Sequence, residues 1–174
     1  VYLVSLALLM VLRPGAWRSF AGQPMLWLLM AAAGMTNVGF NWAVTVGDVV
    51  RVVLLFYLMP AWVVVLAWPM LGEKPTPLSL LRLALAMTGV VIVLKTADSQ
   101  WPVPTNLADW LALMGGFSFA LTNILLRKLN RLEAAPRILA MFAGGATLAA
   151  AAGLIGWASG HVPAPPAPQA AWAG

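Results

Sequence analysis

Six long apolar runs divide the chain, separated by short polar or proline-containing segments. The clearest is residues 49–71, apolar apart from Arg51, Tyr57 and two prolines. About 20 mostly apolar residues cover the roughly 30 Å hydrocarbon core of a bilayer, so this run predicts a membrane-spanning helix. It opens on Asp48 and Arg51, one helical turn apart, and holds Pro60 at mid-depth. It ends at Leu71-Gly72-Glu73-Lys74-Pro75, where charge and proline stop it. A span bent at its middle and charged at both ends is costly in lipid unless neighbours support it, and transporter helices are built this way. The other runs predict spans over residues 1–12, about 25–45, about 78–96, about 107–126 and about 138–158.

Small residues mark where these spans can pack. The second span carries Ala31, Ala32, Ala33, Gly34 and Gly39, and the fifth carries Gly115 and Gly116. Such residues let helix backbones approach closely in lipid. Residues 97–106 read as a polar, proline-containing loop, and the Pro/Ala-rich end as an extended one. Val1 lies inside an apolar run, so the chain reads as an internal piece of a longer protein.

Composition agrees with a membrane chain. Only 9% of residues are charged and 62% are hydrophobic, with mean hydropathy +0.89. A soluble domain would carry about a quarter charged residues. The expected fold class is therefore all-α, a polytopic transmembrane helix bundle. The absence of cysteine excludes disulfides, thiolate catalysis and thiolate metal sites, and the single His161 cannot form a histidine cluster. No cofactor or metal is expected. The net charge of +5 says little about nucleic acid, because in a membrane chain the placement of basic residues matters more than their number.

That placement sets an orientation. With loops taken alternately, one side collects Arg13, Arg18, Lys74, Arg82, Arg127, Lys128, Arg131 and Arg137. The other collects Arg51 and Lys95 beside Asp48, Asp98 and Asp109. The positive-inside rule puts the first side in the cytoplasm. Loops after residues 12, 72 and 126 are then cytoplasmic, and those at 46–50, 97–106 and 160–174 extracytoplasmic. The basic cluster at 127–137 serves as topology signal and anionic-lipid contact.

Polar residues inside the spans are the candidates for solute contact. Arg51 is suited to bind a carboxylate or phosphate of a substrate, or else to pair with Asp48 or reach the headgroups. Asn37 and Asn41 share a helix face, where their amides either line a wet cavity or join helices. Trp42 can stack on a planar solute or serve as an interfacial anchor, and Tyr57 can contact substrate or pack with its hydroxyl satisfied. Pro60 bends its helix as a hinge or as a static kink. On the fifth span Asn123 is a cavity candidate, whereas Ser118 and Thr122 are expected to bond to their own backbone. Glu73 and Lys74 are candidates for a cytoplasmic gate, with Glu73 alternatively fixing helix ends through a base such as Arg82.

The helix ending in Asn41-Trp42-Ala43, Leu58-Met59-Pro60 within the next, Leu71-Gly72-Glu73-Lys74 at its end and Gly89-Val90-Val91-Ile92 after it together carry a resemblance. The chain resembles the drug/metabolite transporter superfamily in its ten-helix EamA-type branch, most specifically through Leu-Gly-Glu and a basic residue about a dozen residues past a mid-helix proline. Asp109-Trp110 leading to Asn123 is similar to the start of that family's second repeat. The resemblance implies two five-helix repeats, the second inverted, as suits alternating access. Residues 1–96 would be helices two to five of the first repeat, 97–106 an extracytoplasmic loop, and 107–174 helices six and seven with the start of a loop. Asp48 and Arg51 depart from the family pattern, which has mostly small or apolar residues there.

The function so implied is secondary transport in the inner membrane, as efflux of a small metabolite such as an amino acid, and not catalysis. No glycine-rich nucleotide-binding motif is present, so energy would come from a gradient or downhill flow. Partners expected are a small-molecule substrate and the lipid bilayer, with a homodimer as an option and no nucleic acid. The alternatives are a non-transporting scaffold or assembly subunit, and a membrane-embedded enzyme. Val46-Gly47-Asp48 resembles intramembrane aspartyl proteases, but that chemistry needs two facing aspartates.

Overall fold

The structure, a computed structural model, describes residues 2–12, 14–97 and 104–158. Most of the expected 97–106 loop, Arg13, and the tail from residue 159 with His161 lie outside the described residues. Every expected span is helical, and no strand occurs among the described residues. Helix α1 is Tyr2–Leu12; a 3-10 turn at Pro14–Trp17 and the short α2, Arg18–Gly22, lead to α3, Pro24–Val46. The third span forms two pieces, α4 at Val49–Phe56 and α5 at Met59–Leu71. Then come α6 at Pro77–Ala97, α7 at Leu107–Lys128 and α8 at Ala134–Ala158. The span expected from about residue 138 begins at Ala134, because Pro136 falls in the first turn, where its missing N–H costs nothing.

Three segments among the described residues are long and apolar enough to cross a membrane: Val49–Leu71, Leu107–Lys128 and Ala134–Ala158. Helix α3 has 23 residues, about 34 Å at 1.5 Å per residue. It is central, flanked by α7 and α8. Leu26 and Leu29 near its start pack with Leu125 and Leu129 at the end of α7 and with Leu139 of α8. Ala43 near its end packs with Ala108 and Ala112 at the start of α7 and with Val52 and Leu55 of α4. Helix α7 is thus antiparallel to α3, and α8 parallel to it. Helix α6 lies at the margin, touching α4 and largely exposed.

Glycines bring these backbones together. A Cβ on Gly144 would run into the Met30 carbonyl, and one on Gly34 into the Gly144 carbonyl, so α3 and α8 cross main chain to main chain. A Cβ on Gly39 would come within 3.0 Å of the Leu111 carbonyl oxygen and 3.2 Å of the Gly115 Cα. Lipid tails are as apolar as leucine, so association in the bilayer depends on such close packing.

The division of the third span follows from Pro60. Proline has no N–H for the carbonyl four residues back, which is that of Phe56. The chain turns at Tyr57–Leu58, and Pro60 occupies the first turn of α5. The turn closes with Tyr57 N–H donating to Val53 at 2.9 Å and Leu58 N–H to Leu55 at 3.2 Å. The Phe56 carbonyl lies against Gly116, where a Cβ would sit 2.8 Å from the oxygen.

Overpacking at such a crossing typically costs about 1–3 kcal/mol. We expect Gly144→Val to lower the thermal midpoint in detergent clearly. Gly153→Ala, at an exposed glycine with nothing within 4 Å of its Cβ position, leaves it unchanged or slightly raised. Equal midpoints for the two variants would refute the α3–α8 crossing.

Candidate functional site

Two ion pairs join α4–α5 to α7, one at each end, so the two segments run parallel. At the start of both, Arg51 Nε donates to Asp109 Oδ1 at 2.9 Å and its Nη2 to Oδ2 at 3.0 Å. Thr105 adds its backbone N–H at 2.9 Å and its hydroxyl at 3.2 Å, both to Oδ2. Each helix start is capped beside the pair. Asp48 Oδ1 accepts the Arg51 backbone N–H at 2.8 Å, and Asn106 Oδ1 accepts that of Asp109 at 2.9 Å. Capping satisfies donors that a helix end leaves without partners.

The guanidinium therefore reaches a carboxylate 58 residues away, and Asp48, expected as its local partner, serves α4 as a cap instead. Asp109 is 1% exposed and Arg51 18%. Sequence reasoning placed Asp109 at a span end and gave it no role. Asn106 three residues ahead marks a helix start and so puts Asp109 in a first turn, but no spacing in the sequence points to its partner.

At the far end, Arg127 Nη2 donates to Glu73 Oε1 at 2.7 Å, with the two side chains 58% and 52% exposed. Arg127, and not Arg82, is the partner of Glu73. Beside them opens a cleft of about 400 Å3 lined by Leu71, Glu73, Asn123, Leu126, Arg127 and Asn130. Lys74 is exposed next to it. The Gly72 turn that carries Glu73 has φ 73°, a left-handed value that suits glycine at a helix C-terminus.

Among the cavity candidates, Asn123 lines this cleft, and Asn37, Asn41, Trp42, Arg51 and Tyr57 do not. The asparagine amides bond along their own helices, from Asn37 to the Ala33 carbonyl at 3.0 Å, Asn41 to Asn37 at 2.7 Å and Asn123 to Phe119 at 2.8 Å. Thr122 bonds to the Ser118 carbonyl at 2.9 Å, as expected of a hydroxyl within a helix. Asn41, Trp42 and Tyr57 are exposed. Around the helix break the packing is aromatic. Phe56 meets Phe40 of α3 at 4.8 Å and Phe119 of α7 at 5.7 Å between ring centres, and Trp62 meets Phe117 edge-on at 5.5 Å. No group of three or more His, Cys, Asp or Glu side chains that could hold a metal occurs among the described residues.

An all-helical bundle with apolar spans and paired charges at their ends defines a multi-pass membrane protein. The EamA-like transporter family model matches residues 1–95, more than half of the chain, and the chain belongs to that family. It is similar to a curated Pseudomonas aeruginosa protein named as an uncharacterized transporter, with 28% identity over 119 residues. The alignment takes in 66% of this chain and 37% of that relative's length. No solved structure matches the chain.

Breaking a buried ion pair by removing one partner costs about 3–5 kcal/mol, whereas exposed pairs contribute about 0–1 kcal/mol. Denaturant titration in micelles should therefore find Asp109→Leu far more destabilising than Glu73→Gln. Arg51→Met combined with Asp109→Leu should cost less than Asp109→Leu alone. Additive losses in that cycle would mean the two side chains are not coupled.

Proposed function

We propose that the chain is the central part of a secondary transporter of the inner membrane, moving a small polar metabolite such as an amino acid outward by alternating access of two inverted repeats. The observation that carries this reading is the proline bend of a membrane span at Tyr57–Leu58, with the Phe56 carbonyl lying against α7 at Gly116. A proline inside a span is tolerated where neighbouring helices accommodate the freed backbone group, and bent or discontinuous helices are typical of transporter binding sites. Under this reading residues 1–96 belong to the first repeat and 107–174 to the second, with the 97–106 loop on the extracytoplasmic side. The exposed Asn41, Trp42 and Tyr57, with Asn37 beside them, would line the solute path together with helices of the longer protein. Arg51 would border that path from its ion pair, Pro60 would permit bending, and Glu73 and Lys74 would guard the cytoplasmic mouth near Asn123.

One feature favours a second reading, a membrane scaffold. The asparagine amides bond within their own helices, and Phe40, Phe56 and Phe119 fill the space around the break. A scaffold needs no solute path.

Full-length protein in proteoliposomes, screened with amino acids and related metabolites, separates the two. We expect saturable flux, reduced at least tenfold by Asn41→Ala or Arg51→Ala. Flux also falls in Pro60→Ala, which returns an N–H to the Phe56 carbonyl and straightens the span. Unaltered flux in the Asn41 and Arg51 variants would remove those residues from the path, and absence of flux for every solute would favour the scaffold.

A further inference from the structure

The two ion pairs differ in grip. Arg51 holds Asp109 through two contacts in a shielded setting, and Thr105 adds two more donors to the same carboxylate. Glu73 holds Arg127 at 2.7 Å with both side chains more than half exposed. Helix α5 lies along α7, with Met70 on the core and Trp62 on Phe117, whereas α4 packs on both α3 and α7. Helix α4 buries Val52 and Leu55, whereas α5 has no buried residue. Between the half with the buried ion pair and the half with the exposed one lies the break at Tyr57–Leu58.

We propose that Arg51 and Asp109 clamp α4 to α7 as one unit, while α5 swings about Tyr57–Leu58 whenever the Glu73–Arg127 latch lets go. The swing opens and closes the cleft that holds Asn123 and Asn130. Exposed charges exchange their partner for water at little cost, so the latch releases readily. The buried pair cannot do so, because separation would leave a carboxylate without its cation in a low-dielectric setting. Opening is therefore confined to the Glu73 end of this helix pair. Gly116 suits the pivot, since it presents no side chain to the Phe56 carbonyl. The inference deepens the transport reading and rests on it, because a scaffold has no use for a swinging half-helix.

The test uses the full-length protein in membrane vesicles with a single cysteine, and these 174 residues contain none of their own. A cysteine at Asn123 reports the cleft, and one at Val52, buried beside the clamp, reports the other end. The readout is the rate of modification by a membrane-impermeant maleimide, applied to each face. Glu73→Gln should speed modification at position 123 at least threefold, and the exchange Glu73→Arg with Arg127→Glu should return it to within twofold of the parent. Arg51→Gln should speed modification at position 52 at least threefold and leave position 123 within twofold. Because Arg51→Gln strands a buried carboxylate and can impair folding, Arg51→Lys is measured beside it and should move position 52 in the same direction by less. An unchanged rate at 123 in Glu73→Gln, or a rise that the exchange does not reverse, overturns the latch. Equal opening of both ends in the Arg51 variants overturns the clamp. Labelling is read without substrate, so flux without these changes sinks this proposal alone, and these changes without flux sink the transport reading.

Discussion

A peptide carbonyl deprived of its hydrogen-bond donor in the middle of a bilayer has no water to turn to, and that constraint organises this bundle. Pro60 creates such a carbonyl at Phe56, and an unsatisfied group in hydrocarbon costs several kcal/mol. That carbonyl lies against α7 at Gly116, the point where α7 has no side chain to hold the segment off. Neighbouring Gly115 faces α3 at Gly39, so consecutive residues of one helix admit two different backbones. Helix α3 can come that close because it is itself glycine-bearing, and the same property lets it cross α8 at Gly34 and Gly144. One proline and a handful of glycines thus account for most of the arrangement of α3, α4, α5, α7 and α8.

The ends of the helices obey a different rule. Away from the hydrocarbon centre, charges are tolerated, and their value depends on how much water reaches them. Asp109 gathers four donors and is nearly inaccessible, so its partner Arg51 is held as part of the structure. Glu73 and Arg127 occupy the opposite ends of the same segments, where water screens both. The α4–α5 segment and α7 are consequently joined by a buried ion pair at one end and a water-screened one at the other. Asp109 supplies the reason that an arginine can be kept at the start of α4.

Span positions were readable from the apolar runs because a membrane helix needs length and hydrophobicity and little else; the helix at Pro24–Val46 came within a residue of its expected limits. The small-residue surfaces were readable too, since Gly34, Gly39, Gly115 and Gly116 stand out in apolar runs. Pairing between distant residues was not. Nothing in local spacing links Arg51 to Asp109, and proximity in sequence favoured Asp48, whose short side chain instead caps the helix it precedes. Arg82 was likewise the nearer base for Glu73, yet α6 lies at the margin while α7 runs alongside α5. The asparagines misled in a third way. An amide in a span signals a polar requirement, but the helix's own carbonyl four residues back is a ready acceptor.

Self-bonding of that kind does not remove an asparagine from solute chemistry. An amide whose N–H is committed to the backbone still has a carbonyl oxygen, and it has become a fixed acceptor with its rotamer already chosen. Asn123 has this arrangement at the wall of a cleft that also holds a carboxylate and a guanidinium. Fixing a polar group before a ligand arrives lowers the ordering cost of binding, so a backbone-tethered amide is the better-prepared contact. The aromatic packing around the break acts in the same direction. Phe40, Phe56 and Phe119 pack ring against ring beside the contact between the Phe56 carbonyl and Gly116, so the bend is likewise ordered before a ligand arrives.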